Sequence, residues 1–158
     1  MRDSYFKSSK RHAAAVWVTV IAFSLQPVLS QAAVITPPAG TVADVVGTTL
    51  DDTITINTGV DVTNDVVADT GDDIVNVNGG TIGGDVSLST MPFGTLTEPT
   101  TGTDSFTMTG GDITGAVRGD SGIDTISLLG GTIGTHVHAG DGDDMITLDG
   151  TVVSGHIS

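Results

Sequence analysis

Short runs of alternating polar and apolar residues recur along most of the chain. The best-defined run reads Asp-x-apolar-x-apolar and begins five times, at Asp52, Asp73, Asp104, Asp124 and Asp144. The spacings between these aspartates are 21, 31, 20 and 20 residues. Alternation with a period of two is typical of a β-strand with one buried and one solvated face. The run therefore predicts one such strand in every repeat.

A second alternating segment follows the later copies of this run at a fixed offset, at residues 79–86, 110–117, 130–137 and 150–157. Together the two segments predict four apolar columns that point inward: Ile54, Val75, Phe106, Ile126, Ile146; then Ile56, Val77, Met108, Leu128, Leu148; then Ile82, Ile113, Ile133, Val153; and Val86, Val117, Val137, Ile157. Small residues between the last two columns are also predicted to point inward, letting two opposed strands lie close together: Gly84, Gly115, Thr135 and Gly155.

One repeat cannot bury its own apolar face, but stacked repeats can, because each coil pairs its backbone with the next coil. The sequence therefore predicts an all-β protein, a parallel β-solenoid of about five coils of ~20 residues over residues 51–158. The single 31-residue spacing predicts a loop insertion at about residues 89–99. Residues 33–50 are expected to form a lead-in or cap. Because Ser158 lies inside a repeat, we expect a solenoid truncated at its C terminus.

The first 32 residues have the layout of a helical signal peptide. Four basic residues precede an apolar run at 13–23, which is shorter than the roughly 20 residues that a membrane-spanning helix needs. Small residues, Ser30 and Ala32, occupy the −3 and −1 positions of a cleavage site before Ala33. The start of the chain therefore predicts export.

The charge of the chain changes sign after this segment. Beyond Ala32, seventeen aspartates and one glutamate against Arg118 leave a net charge of −17. Such a surface repels phosphate backbones and anionic lipid, so nucleic-acid and membrane-surface binding are disfavoured. Cations or a basic partner are favoured instead. Cysteine is absent, so the fold uses no disulfides.

Residues 130–137, followed by 140–148, resemble the repeats of bacterial autotransporter passenger domains, and the resemblance extends over roughly residues 50–158. It implies a Gram-negative host, display at the outer membrane, and a non-enzymatic, adhesin-like function. It also implies two kinds of partner, the outer-membrane translocation machinery and ligands on host or neighbouring cells. Membrane contact would come only through a C-terminal barrel that these 158 residues do not contain.

A second resemblance, to hemolysin-type calcium-binding repeats, rests on the segment 139–146. It implies a calcium-stabilised secreted repeat protein in which carboxylates of stacked turns hold the ion: Asp120, Asp124, Asp141, Asp143 and Asp144. The residues themselves leave a further interpretation open, because aspartates in turns commonly cap backbone N–H groups. We favour capping, with no cofactor required.

Two further motifs suggest chemistry beyond the repeats. Residues 118–121 read Arg-Gly-Asp-Ser, an integrin-recognition tetrapeptide, and we expect them to form an exposed turn that serves only the repeat. His136, His138 and His156 are expected to face outward, where they are ordinary polar positions or ligands of a transition metal. No nucleophile and base are spaced as a hydrolytic site requires, so the sequence predicts that the protein is not an enzyme.

Overall fold

The structure is a computed structural model that describes residues 31–89 and 101–158, and these residues form three parallel sheets of six short strands each. The first sheet contains β1 (Val34–Ile35), β4 (Thr53–Ile56), β7 (Ile74–Val77), β11 (Ser105–Met108), β14 (Thr125–Leu128) and β17 (Met145–Leu148). The second contains β2 (Gly40–Val42), β5 (Val60–Val62), β8 (Thr81–Ile82), β12 (Asp112–Ile113), β15 (Thr132–Ile133) and β18 (Val152–Val153). The third contains β3 (Val45–Val46), β6 (Val66–Val67), β9 (Val86–Ser87), β10 (Thr101–Gly102), β13 (Val117–Gly122) and β16 (Val137–Gly142).

Neighbouring strands come from successive repeats and pair in register. In the first sheet, Phe106 lies beside Val75 on one side and Ile126 on the other, so equivalent residues stack along the axis. From β1 to β17 the chain makes five turns. This confirms the predicted all-β parallel β-solenoid. The predicted signal peptide falls on residues 1–32, of which 1–30 lie outside the described residues.

The four predicted columns form the core. In the repeats before the last, every member of these columns is buried. Phe106 is the largest of these side chains, and Phe106 and Met108 are the only two that are not aliphatic hydrocarbons. Burial falls in the last coil, where Leu148 is 51% exposed and Ile157 is 38% exposed. The outer side of these residues carries no further strand among the described residues. Stacking on both sides is thus what buries each column.

Each repeat has three strands and not the predicted two, because the second segment bends between its two apolar positions. Thr81–Ile82 and Val86–Ser87 belong to different sheets, and residues 83–85 form the corner between them. The prediction that the small residues point inward is therefore wrong. Gly84, for example, is half-buried at the corner, where an added Cβ would lie 2.0 Å from Asp65 Oδ1. The small residue makes room for a side chain of the preceding coil.

Residues 33–50 follow the path of a coil. Strands β1, β2 and β3 pair in parallel with β4, β5 and β6, so this segment extends all three sheets. The 31-residue repeat departs from the others between β9 and β10. Both of these strands pair with the single strand β13, which means that the extra residues interrupt one strand position. The expected loop at 89–99 lies, apart from Ser89, outside the described residues.

Candidate functional site

The aspartates that begin each repeat form one continuous column, which we call the aspartate ladder: Asp52, Asp73, Asp104, Asp124 and Asp144. Each ladder carboxylate accepts a hydrogen bond from the backbone N–H at the equivalent position one coil earlier, which for Asp52 is Ala33 and for the others is the preceding ladder residue. The N···Oδ1 distances are 2.7 Å from Asp52 to Asp73, 2.7 Å from Asp73 to Asp104, 3.0 Å from Asp104 to Asp124 and 2.9 Å from Asp124 to Asp144. The ladder therefore links all the coils through side chains, beside the backbone pairing of the sheets.

The ladder is inside the molecule, at the corner that leads into the first sheet. Asp52, Asp73 and Asp124 are 1% exposed and Asp104 is 5% exposed, whereas Asp144 in the last coil is half-buried. Glycines five positions earlier give the Asp52 and Asp124 carboxylates their space. An added Cβ on Gly119 would lie 2.6 Å from Asp124 Oδ2 and 1.8 Å from the Ala139 carbonyl oxygen. The glycine is thus needed for close approach of carboxylate and backbone.

Burial makes the middle of the ladder weakly acidic. Desolvation raises the pKa of Asp104 to about 7, although the hydrogen bond from the Asp73 N–H lowers it and the neighbouring carboxylates Asp124, Asp73 and Asp72 raise it further. Desolvation likewise raises the pKa of Asp73 to about 6, against the lowering effect of the Asp52 N–H. A buried charged carboxylate without a cationic partner is unfavourable, so the protonated, neutral form is favoured. Asp73 and Asp104 therefore change protonation state at a pH near neutral.

The second carboxylate oxygen of Asp73 lacks the hydrogen bond that the corresponding oxygen of Asp52 accepts. The Oδ2 atom of Asp52 accepts the backbone N–H of Thr48, four residues earlier, and the Thr48 hydroxyl donates to Asp52 Oδ1 at 3.0 Å. At the equivalent position before Asp73 stands Asp69, whose backbone has a φ of 83°, and Asp73 Oδ2 is buried without a hydrogen-bond partner. Desolvation, together with the charge of Asp52, raises the pKa of Asp69 as well. Protonation relieves this group of crowded carboxyls.

The residues predicted to bind calcium fall into different columns. Asp124 and Asp144 are adjacent members of the ladder, and their contact is the Asp124 N–H bond to Asp144 Oδ1. This is the capping that the sequence favours, although it joins two coils where capping within a turn was expected. Asp141 is exposed on β16 opposite Ser121, and the backbone of Asp120 on β13 lies opposite Gly140.

Asp143 is exposed, and the register of the first sheet extended by two residues places it beside Ile123. In residues 31–89 and 101–158, no three His, Asp or Glu side chains are arranged to hold one metal ion. The Asp120 side chain lies outside what the structure describes. Calcium binding by the five predicted residues stays a prediction.

A second polar column occupies the corner between the second and third sheets: Asp44, Asp65, Asp85, Ala116, His136 and His156. Here the direction of the bonds is reversed, because the N–H groups of Asp65, Asp85, Ala116 and His156 donate to the side chain one coil earlier. Ala116 offers no acceptor to His136. Asp85 donates to Asp65 Oδ1 at 2.8 Å, and His156 donates to His136 Nδ1 at 3.4 Å. The rings of His136 and His156 stack with centroids 4.1 Å apart. We call this set the corner column.

His138 is exposed outside this column, and its Nδ1 atom lies 2.9 Å from Ser158 Oγ. The outward positions predicted for His138 and His156 are thus confirmed, while His136 is half-buried. The His136 and His138 rings thus take part in hydrogen bonds between coils, and the His156 ring stacks on the His136 ring.

The Arg-Gly-Asp-Ser segment is not an exposed turn, so that expectation is wrong. Residues 118–121 lie within the six-residue strand β13, which pairs with β16 along its length. Gly119 is buried inside the tetrapeptide. The reason is that this repeat has no turn between the third sheet and the residues before Asp124. The backbone of the segment pairs with β16 in the third sheet.

Comparison of the chain with protein-family models, curated proteins and solved structures finds no match. No helix of the described ranges 31–89 and 101–158 has the length and apolar character to cross a membrane.

Proposed function

We propose that this chain is a non-enzymatic β-solenoid module that is exported and displayed at a bacterial surface, as the N-terminal passenger portion of an autotransporter or adhesin-like outer-membrane protein. The observation that carries the proposal is the aspartate ladder. Its buried carboxylates accept backbone N–H groups of the neighbouring coil, which is a structural use. A stack of coils built in this way presents a repetitive surface along its axis, which suits surface display and ligand binding better than catalysis.

The beginning of the chain supports export. A basic segment, an apolar run and the small residues Ser30 and Ala32 precede the first strand, β1, which begins at Val34. Cleavage before Ala33 would leave the solenoid strands intact. A chain without cysteine also avoids premature disulfides while it crosses an oxidising compartment unfolded.

The surface charge narrows the class of partner. Beyond Ala32 the net charge is −17, and exposed aspartates lie on several columns, for example Asp61, Asp141 and Asp143. Repulsion disfavours nucleic acid and anionic lipid as ligands. The proposed partners are the outer-membrane translocation machinery and neutral or basic ligands on host or neighbouring cells.

The competing proposal is a calcium-stabilised secreted protein of the hemolysin type. Its support is the set of exposed carboxylates near the last coils, Asp141 and Asp143, beside the ladder residue Asp144. Their distribution over separate columns favours the first proposal, because a calcium ion takes six to eight oxygen ligands at one point. The two proposals agree on export and differ in whether calcium is required for folding.

Export is tested by expressing the full chain, with an epitope tag after Ser158, in a Gram-negative bacterium. We expect tagged protein outside the inner membrane whose N-terminal sequence begins at Ala33. Ala32→Asp should block cleavage, because the −1 position requires a small residue, while a matched Ala39→Asp change beyond the site should not. Cytoplasmic protein that begins at Met1 would contradict the proposal.

A further inference from the structure

On strands β4, β7, β11, β14 and β17, the outer face of the first sheet carries no charged residue, although seventeen aspartates lie beyond Ala32. Each of these strands presents two outward side chains, and equivalent side chains stack from coil to coil. The ten residues are all half-buried or exposed and form two columns, which we call the neutral face: Thr53, Ile74, Ser105, Thr125, Met145; and Thr55, Asn76, Thr107, Ser127, Thr147. This side of the solenoid thus differs from the rest of an acidic chain.

The polar side chains of the neutral face do not hold the coils together. On other faces such side chains do: the Thr81 hydroxyl donates to Asp61 Oδ1 at 2.6 Å, and Asn78 Nδ2 donates to Asn57 Oδ1 at 3.2 Å. In the part of the chain that the structure describes, no side chain of the neutral face takes part in a hydrogen bond. Its hydroxyls and its one amide can therefore donate to a ligand and accept from it.

The pairing of the strands makes the neutral face a regular grid. Thr107 lies beside Asn76 on one side and Ser127 on the other, at the usual step of about 4.8 Å between strands. The two columns are two residues apart along each strand, which is about 6.7 Å. A sheet face with this repeat suits an extended chain with repeated polar groups, whereas small molecules are usually held in concave pockets.

Apolar side chains and a charged border narrow the chemistry of such a chain. Ile74 is 45% exposed and Met145 is 56% exposed among the hydroxyls, so the face can contact both the hydroxyls and the apolar C–H groups of sugar rings. Two residues before the first column stand the exposed carboxylates of Asp51 and Asp72, and the Asp72 N–H donates to Asp51 Oδ1 at 3.0 Å. This border repels an acidic glycan.

We propose that the neutral face binds an uncharged polysaccharide that lies along the axis of the solenoid. The inference rests on the proposed function in one respect, because it names the class of ligand that a surface-displayed module would meet on host or neighbouring cells. Each hydroxyl contact is weak, and repeated contacts along one glycan chain add up to useful affinity.

The test is affinity electrophoresis of the purified full chain in native gels that contain dextran, mannan or hydroxyethyl cellulose. We expect at least one of these uncharged polysaccharides to slow the chain in proportion to its concentration in the gel. Alginate, an acidic polysaccharide, should not slow it at the same ionic strength, because the carboxylates of the two partners repel each other.

Ser127→Asp places a charge at the centre of the neutral face and should raise the dissociation constant at least about tenfold, because the carboxylate loses water on binding. Ser154→Asp is the matched control, since it makes the same change at an exposed position outside the neutral face. Ser127→Thr keeps a neutral hydroxyl and should bind as the native chain does. Far-UV circular dichroism checks that the three variants keep the native fold.

Migration that none of the uncharged polysaccharides alters would overturn the proposal. So would equal slowing by alginate, or equal loss of binding in Ser127→Asp and Ser154→Asp, which would trace the effect to net charge. Binding is measured on purified protein, so it is separate from export. A chain that binds but is not exported contradicts the proposed function alone, and a chain that is exported but does not bind contradicts this inference alone.

Discussion

The buried carboxyl of Asp104 makes the stability of the solenoid depend on pH in an unusual direction. Its pKa is raised from 3.8 to about 7, because burial at 5% exposure disfavours the charged form. The folded state therefore holds the proton more tightly than the unfolded chain. The contribution of this group to stability is fully present below pH 3.8 and is lost as the pH rises through about 7. Most proteins gain stability from their carboxylates over this range.

Asp104→Asn removes the titration and keeps an Oδ1 atom that can accept the Asp73 N–H, now at 2.7 Å. Raising the pKa from 3.8 to about 7 corresponds to about 4 kcal/mol as an upper limit. Asp104 titrates together with Asp73 and Asp124, which share the ladder, so part of the effect passes to them. We expect the free energy of unfolding of Asp104→Asn, relative to the native chain, to rise by about 2 kcal/mol between pH 4 and pH 8.

The measurement is urea unfolding followed by far-UV circular dichroism at several pH values between 4 and 8. Asp143→Asn is the control, since it removes the same charge from an exposed position outside the ladder. Its stability difference from the native chain should change much less over this range. Parallel pH profiles for the two variants would refute the reasoning, because the effect would then come from net charge and not from burial.

Three other predictions follow from the same structure. Ile126→Asp should lower the free energy of unfolding by at least about 3 kcal/mol, because it buries a charge without a partner. Ser127→Asp, on the half-buried outer face, should lower it by less than about 1 kcal/mol. Equal melting temperatures of the two variants would show that the columns are misassigned. Gly122→Ala should lower the melting temperature by several degrees, because the added Cβ would lie 1.9 Å from the Gly102 carbonyl oxygen. Gly110→Ala should be tolerated, because its Cβ would have no atom nearer than 3.5 Å. Similar melting curves for the two variants would contradict the close stacking at this corner. Calcium should raise the melting temperature no more than sodium chloride of matched ionic strength, and a calcium-specific shift that disappears in Asp144→Asn would instead support a bound ion.

The apolar columns were predictable because burial of alternate residues imposes a period of two, and the first sheet has strands long enough to show it. Thr81–Ile82 in the second sheet and Val86–Ser87 in the third have only two residues each, too few for an alternation, so the bend that separates these two sheets was not predicted. The insertion at about residues 89–99 stays a prediction, because apart from Ser89 it lies outside the described residues; β9 and β10, which precede and follow it, both pair with β13.

Capping by aspartates was predicted, but the burial of the aspartate ladder and its bonds between coils were missed for a different reason. Aspartate is mostly exposed in proteins, and beside acidic turns the residues at the start of each repeat look like further surface charge. One signal was present in the sequence. Asp occupies this position in all five repeats, while the residue before it varies among Asp, Thr and Ile, as at Asp72, Thr103 and Ile123. A position that never varies among repeats is better explained by a specific contact than by solubility.

The stacking register is tested most directly by distances between spin labels, which the absence of cysteine makes simple to place. One label goes on Ser127→Cys and the other on Thr107→Cys, Asn76→Cys or Thr55→Cys, which are one, two and three strands away on the outer face of the first sheet. The three pairs are 20, 51 and 72 residues apart in sequence. The solenoid predicts backbone separations of about 5, 10 and 14 Å, one equal step per coil. Distances that instead follow the separation in sequence, with a larger step across the 31-residue repeat, would contradict it.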